Sequence, residues 1–208
     1  MRCAPPMVGV LTAVLAGVLA GCAGAGNAEA NGSAAAGDVV ELNEGGDCEG
    51  RDVLINRDGV GVVLAGECGT VTIEANGVRV DVERSDAVIV AGQDISVTGR
   101  ETGALTVSGR SNSTTVDSAG SVEIRGNVVS VTGKRAEQLK VTGSGNLVAV
   151  DEVASIGVEG NDNHVIGSAF AALELTGSNN SVDWSSGVAR PGRNTGSDNK
   201  ITGPVDGA

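Results

Sequence analysis

Four cysteines, one histidine and a handful of carboxylates carry whatever chemistry this 208-residue chain performs. Cys48 and Cys68 stand 20 residues apart with no His or second Cys beside either, so a disulfide is expected there and metal ligation is not. Cys22 follows Leu19, Ala20 and Gly21. The small residues leave the backbone open to a peptidase, and the thiol is a nucleophile able to accept a lipid. His164 is the single histidine; its repeat equivalents are Ser113, Leu147, Ser181 and Lys200, so it reads as an outward turn residue rather than a catalytic or metal group. Gly160-Asn161-Asp162-Asn163 and Gly196-Ser197-Asp198-Asn199 resemble calcium-binding turns. Those require Asp in every half-coil, and here Asp is irregular. Glycan cleavage needs paired carboxylates on one face. Glu123, Glu159 and Glu174 share theirs with Lys140, a mixed-charge pattern that suits a solvated surface. If such activity exists, Glu123 and Glu159 are its first candidates. Thr106, Thr142 and Thr176 lie in the same outward rows, where charges interrupt any flat hydroxyl array of the kind that orders water.

The N-terminus has the build of an export signal. Met1 and Arg2 form a short positive start, and Met7 to Ala20 runs without charge for the length of a signal core, too short to span a bilayer. The quartet Leu19-Ala20-Gly21-Cys22 resembles the lipobox of bacterial lipoproteins. That resemblance implies cleavage before Cys22, diacylglycerol on its thiol with palmitate among the acyl chains, and a membrane-anchored protein on the extracytoplasmic side, in the cell envelope. Two or three acyl chains anchor stably where one does not. Residues 1–21 are therefore expected to be a signal peptide. Residues 22–46, rich in Ala, Gly and Asn, read as a flexible tether spanning roughly 25–30 Å.

Composition narrows the partners. Fourteen basic residues face 26 acidic ones, a net charge of −12, with no basic cluster. Phosphate backbones repel such a chain, so nucleic acid is excluded as a partner. With no Tyr, one Phe and one Trp, there is no set of aromatic platforms for stacking sugars or bases. Nothing in the sequence calls for a cofactor. The apolar content is Val, Ile and Leu, the residues of stacked strands.

From residue 71 the chain repeats every 17 residues. Glycines mark the period at Gly92, Gly109, Gly126, Gly143, Gly160 and Gly177, each preceded by an apolar-x-apolar pair such as Leu105/Val107 or Leu139/Val141. Three residues beyond the glycine comes an Asn column: Asn112, Asn146, Asn163, Asn180 and Asn199. A second apolar pair follows, as in Val148/Val150 and Val182/Trp184. One unit of this size cannot bury its own apolar row, but stacked units can. The expectation is an all-β parallel β-solenoid of about eight coils over residues 47–203, with a short tail at 204–208. Each coil should be two short strands. Glycine should supply a positive φ at the corner, and the Asn column a polar ladder. Antiparallel hairpins in a sandwich or prism are the alternative. Trp184 and Phe170 fall in core slots, and the Cys48–Cys68 pair should staple the first coil to the second. At the far end Arg190-Pro191-Gly192-Arg193 and Pro204 are expected to blunt the last coil.

The lipobox, the cysteine pair and the recurring Gly-x-x-Asn-x-Val over residues 48–203 together resemble a family of actinobacterial, largely mycobacterial, envelope proteins, the domain of unknown function 3060. The resemblance implies an envelope location and supplies no catalytic residues. Val78, Ile95 and Val129 depart from the motif at the Asn slot. The functional expectation is a non-enzymatic, lipid-anchored binding or scaffolding protein with an envelope protein or glycan as partner. A polysaccharide-processing enzyme of the β-helix class is the alternative.

Overall fold

A computed structural model describes residues 39–187 and 190–204. Leu19, Ala20, Gly21 and Cys22, the first part of the expected tether, and residues 205–208 lie outside the described residues. The strands are β1 (Val39–Glu41), β2 (Gly46–Asp47) and β3 (Asp52–Ile55). Seven long ones follow: β4 (Gly61–Ile73), β5 (Arg79–Val90), β6 (Ser96–Val107), β7 (Ser113–Ile124), β8 (Ser130–Val141), β9 (Leu147–Glu159) and β10 (His164–Thr176). The chain finishes with β11 (Ser181–Ser186), β12 (Arg190–Thr195) and β13 (Lys200–Thr202). Every pairing is parallel; β3 to β11 pair in sequence order, β1 joins β3 and β13 joins β11, while β2 pairs with β4 and β12 with β10. This is a parallel β-solenoid of about nine turns, not a set of hairpins.

The 17-residue period sets the register. Val80 stacks on Val97, then Thr114, Val131, Val148, Val165 and Val182. The long strands are not pairs of separate short strands, as the sequence suggested. Each is one strand with two bends, where pairing skips a residue. Between β5 and β6 it runs over Arg79–Val82, Arg84–Ser85 and Ala87–Val90, omitting Glu83 and Asp86. Inward residues step by two within a wall (Val80, Val82) and by three across a bend (Val82, Ser85, Val88). Two bends plus the Gly/Asn corner give each turn three walls, called first, second and third below in chain order.

Buried Val, Ile and Leu form columns along the interior, Ile55, Ile73, Val90, Val107, Ile124, Val141, Val158 and Leu175 among them. Each removes on the order of 1.5–3 kcal/mol of apolar surface from water. Packing compensates between columns: Gly167 leaves the space that the Phe170 ring fills. Trp184, 8% exposed, closes the C-terminal interior beside Phe170, their ring centroids 6.0 Å apart, with Gly203 against its indole.

The N-terminal end differs from the sequence reading. The ladder begins at Val39, which pairs with Asp52, so residues 39–41 and Gly46 of the expected tether are part of the sheet. Val40 and Leu42 pack against the core and make this extension favourable. At the other end Arg190–Thr195 forms β12, an edge strand paired with β10, and the extra residue is taken up as a register shift opposite Leu173/Glu174; Pro191 and this irregularity are features that blunt a sheet edge. The disulfide is present: Cys48 and Cys68 are bonded with Cα atoms 4.9 Å apart, joining consecutive turns.

Candidate functional site

The Asn column forms the ladder its spacing suggested, and the structure shows what each amide does. Asn163 Nδ2 donates to Gly143 O at 2.9 Å, and its Oδ1 accepts from the backbone N–H of Asn146 at 3.1 Å. Asn146 and Asn112 repeat the pattern on Gly126 and Gly92. Their Oδ1 atoms accept from Val129 and Ile95. Asn180 and Asn199 continue it onto Gly160 and Gly177. Asn112, Asn146, Asn163 and Asn180 are buried, so these bonds satisfy backbone groups that no water reaches. Where the slot holds Val78, Ile95 or Val129, the corner is closed by apolar packing, each 1% exposed.

The corner glycines meet the expectation only in part. Gly109 and Gly177 have positive φ, but Gly126, Gly143 and Gly160 do not; there that conformation belongs to Val128, Gly145 and Asp162, two residues later. Glycine is required because the turns approach closely: a Cβ on Gly126 would sit 2.6 Å from Gly109 O. A second, outer ladder went unread in the sequence. Asn76, Asn127 and Asn161 accept from the backbone N–H of the following turn at Gln93, Ser144 and Ser178. Its signal was the Gly-Asn dipeptide at Gly126-Asn127 and Gly160-Asn161. Asn161 and Asn163 are thus occupied by ladder bonds, and Asn179 donates to Asp162. Among the described residues no three His, Cys, Asp or Glu side chains converge as metal ligands would.

The carboxylates named from sequence are paired and partly exposed. Glu123 Oε2 meets Arg125 at 2.7 Å, which raises the guanidinium pKa, and Glu159 meets Lys140 at 3.3 Å. His164 faces outward and bridges two turns, its Nε2 3.0 Å from Asp183 Oδ2. Burial pushes the Asp183 carboxyl up, but hydrogen bonds from Ser181, Thr202 and His164 outweigh it and hold the group below its ordinary range. Ser181 donates to Asp183, not to the imidazole, so this trio lacks the order of a nucleophile and its base.

Two concave regions lie elsewhere. The second wall carries a groove of about 630 Å³ over several turns, lined by Arg84, Asp86, Glu101, Gly103, Gly120 and Glu137. Arg84 reaches back to Glu67 and Arg135 forward to Glu152. Asp86, Glu101 and Glu137 make no ion pair among the described residues. A shallower hollow of about 550 Å³ lies on the first wall and its adjoining bend, around Val63, Asp81, Thr98, Arg100, Thr115 and Asp117. Neither was named from the sequence, because a hollow depends on which side chains the three-walled register brings together.

The fold defines a class, a disulfide-stapled parallel β-solenoid with an Asn-laddered corner. Residues 122–169 and 141–198 each match the family model described as "Protein of unknown function (DUF3060)". The match supports the likeness to the domain of unknown function 3060 and falls on the turns from β7 onward, where the Asn corners are densest. No curated protein and no solved structure matches the chain.

Proposed function

We propose that this protein is a lipid-anchored component of the bacterial cell envelope that binds or scaffolds rather than catalyses. The membrane is reached through acyl chains on Cys22, on the extracytoplasmic face. The observation that carries the reading is the Leu19-Ala20-Gly21-Cys22 quartet at the end of a signal-like segment, ahead of a solenoid stapled by a disulfide, a bond that persists in oxidising compartments. Solenoid walls present long, regular surfaces suited to an extended partner, protein or glycan. The test is metabolic labelling with palmitate followed by membrane fractionation. Wild-type protein should be labelled and sediment with membranes, and Cys22→Ala should lose both. Undiminished labelling of the variant overturns the anchoring. Photo-crosslinking from Lys140 and Glu159 in native cells then identifies what the surface touches.

One observation favours the enzymatic alternative. The second-wall groove gathers Asp86, Glu101 and Glu137 without cationic partners, beside the close-packed glycines Gly103 and Gly120. Turnover of an envelope polysaccharide, abolished by Glu101→Gln with the fold intact, would replace scaffolding with this reading.

A further inference from the structure

The three walls differ in charge. Ion pairs line the second wall and its bends, as in Arg100–Glu83, Lys134–Asp117 and Arg135–Glu152, and they continue onto the third as Arg125–Glu123 and Lys140–Glu159. On the first wall, from β6 through β10, no outward position holds Asp, Glu, Lys or Arg. For a chain of net charge −12, this wall forms a distinct surface; His164, outward in β10, is the titratable group on it and pairs with Asp183.

Its outward residues stand in two ranks. Ser96, Ser113 and Ser130 stack in register, and Thr98, Thr115 and Thr132 stack beside them. The ranks are about 7 Å apart and advance about 4.8 Å per turn. On the third wall, Ser108 and Thr142 use their hydroxyls on Val90 O and Ile124 O. The six first-wall hydroxyls make no hydrogen bond to the described protein. Beyond them the ranks hold Leu147, 44% exposed, and Ala149, then His164 and Ile166, the latter 39% exposed. At the opposite end the wall opens into the 550 Å³ hollow, which Thr98 and Thr115 share with Val63, Asp81 and Arg100.

We propose that the first wall binds an uncharged β-linked glycan lying along the solenoid axis, with one sugar seated in the hollow. The proposal rests on the envelope-binding reading above and names its ligand class. Free hydroxyls donate to and accept from sugar hydroxyls. Val63, Leu147 and Ile166 suit the C–H faces of pyranose rings. The rise per turn is close to the advance per sugar of an extended β-linked chain, so each ring lies over one turn's hydroxyls, with alternate rings facing the wall alike. The hollow is lined by Asp81, Glu83, Arg100 and Asp117, but the Ser and Thr ranks beyond it carry no charge and neither attract an ionic polymer nor require an ion to be desolvated.

The test uses the full chain in detergent. Retention on insoluble β-glucan and calorimetry with cello-oligosaccharides measure binding, with polygalacturonate as the charged control. Thr115→Lys should weaken binding about tenfold or more, about 1.4 kcal/mol or more, with circular dichroism unchanged. Thr98→Lys should do the same. Lys140→Ala on the third wall should leave it intact, and added salt should have little effect. No glucan binding, equal binding by Thr115→Lys, or salt-sensitive binding of polygalacturonate alone would overturn the proposal. So would self-association of the chain that Thr115→Lys abolishes, since the wall would then be an interface between copies. These outcomes are separate from the palmitate experiment: anchoring can stand while glycan binding fails, and the reverse.

Discussion

The two ends of the solenoid lock their turns by different means. Near the N-terminus, consecutive turns are joined by the Cys48–Cys68 bond, and the corners at Val78 and Ile95 are closed by apolar side chains. From Asn146 onward, each corner is held by an amide that bonds one turn to its neighbours and each amide to the next. An apolar corner is satisfied by volume alone. An Asn corner is satisfied only if its neighbours are in place, because its bonds go to their backbones. The ladder therefore makes the later turns interdependent, while the staple confines the earlier ones covalently.

Breaking one amide is the most severe way to separate the two regimes. Asn163→Ala strands the Asn146 N–H and the Gly143 carbonyl in a buried corner. At 1–3 kcal/mol per orphaned group, the expected loss is about 4 kcal/mol by denaturant titration. Val129→Ala, at an apolar corner, should cost only about 2 kcal/mol. Equal losses would mean that the amides act as mere packing. Reducing Cys48–Cys68 should cost about 3 kcal/mol by the loop-entropy argument, with the effect centred on the first turns.

Smaller effects sharpen the picture. Thr114 lies 1% exposed in a column otherwise filled by Val97, Val131 and Val148, and its hydroxyl has no partner. Thr114→Val should raise stability by about 1 kcal/mol, read as a higher denaturant midpoint. At the C-terminal end, Asp183 ties β10 to β11, and its carboxyl is held below the ordinary range. A depressed carboxyl stabilises above its unfolded pKa and loses that contribution as pH falls through the folded one. Asp183→Asn should therefore lower the midpoint at neutral pH by less than about 1 kcal/mol and leave it unchanged in strong acid.

Much of this was legible because the repeat is a backbone property. The period of 17, the apolar pairs and the Asn column report stacking directly, and the core placement of Trp184 and Phe170 followed from their slots. The cysteine pair was legible by elimination and by its spacing of about one turn. What escaped depends on geometry finer than a period. The bends within each strand carry no uniform Gly or Pro signature: Glu83 and Asp86 occupy them in β5, while the second bend of β6 and of β7 holds Gly103 and Gly120. The corner glycines looked like positive-φ residues, and only the inter-turn approach shows that carbonyl contact excludes a side chain. The carboxylates at Glu123 and Glu159 drew notice as an outward row, yet each has its cation within 3.3 Å. The groove and the neutral wall emerge only when residues a turn apart are set side by side.

Amide hydrogen exchange on the full chain, with and without reductant, tests most directly whether the lock changes from staple to ladder. Reduction should speed exchange in β1 to β4 while β8 to β11 stay protected. Asn163→Ala should do the reverse, opening the corners from Asn146 to Asn180 and sparing the stapled turns. Uniform loss of protection along all strands under either perturbation would contradict it and show a single undivided lock.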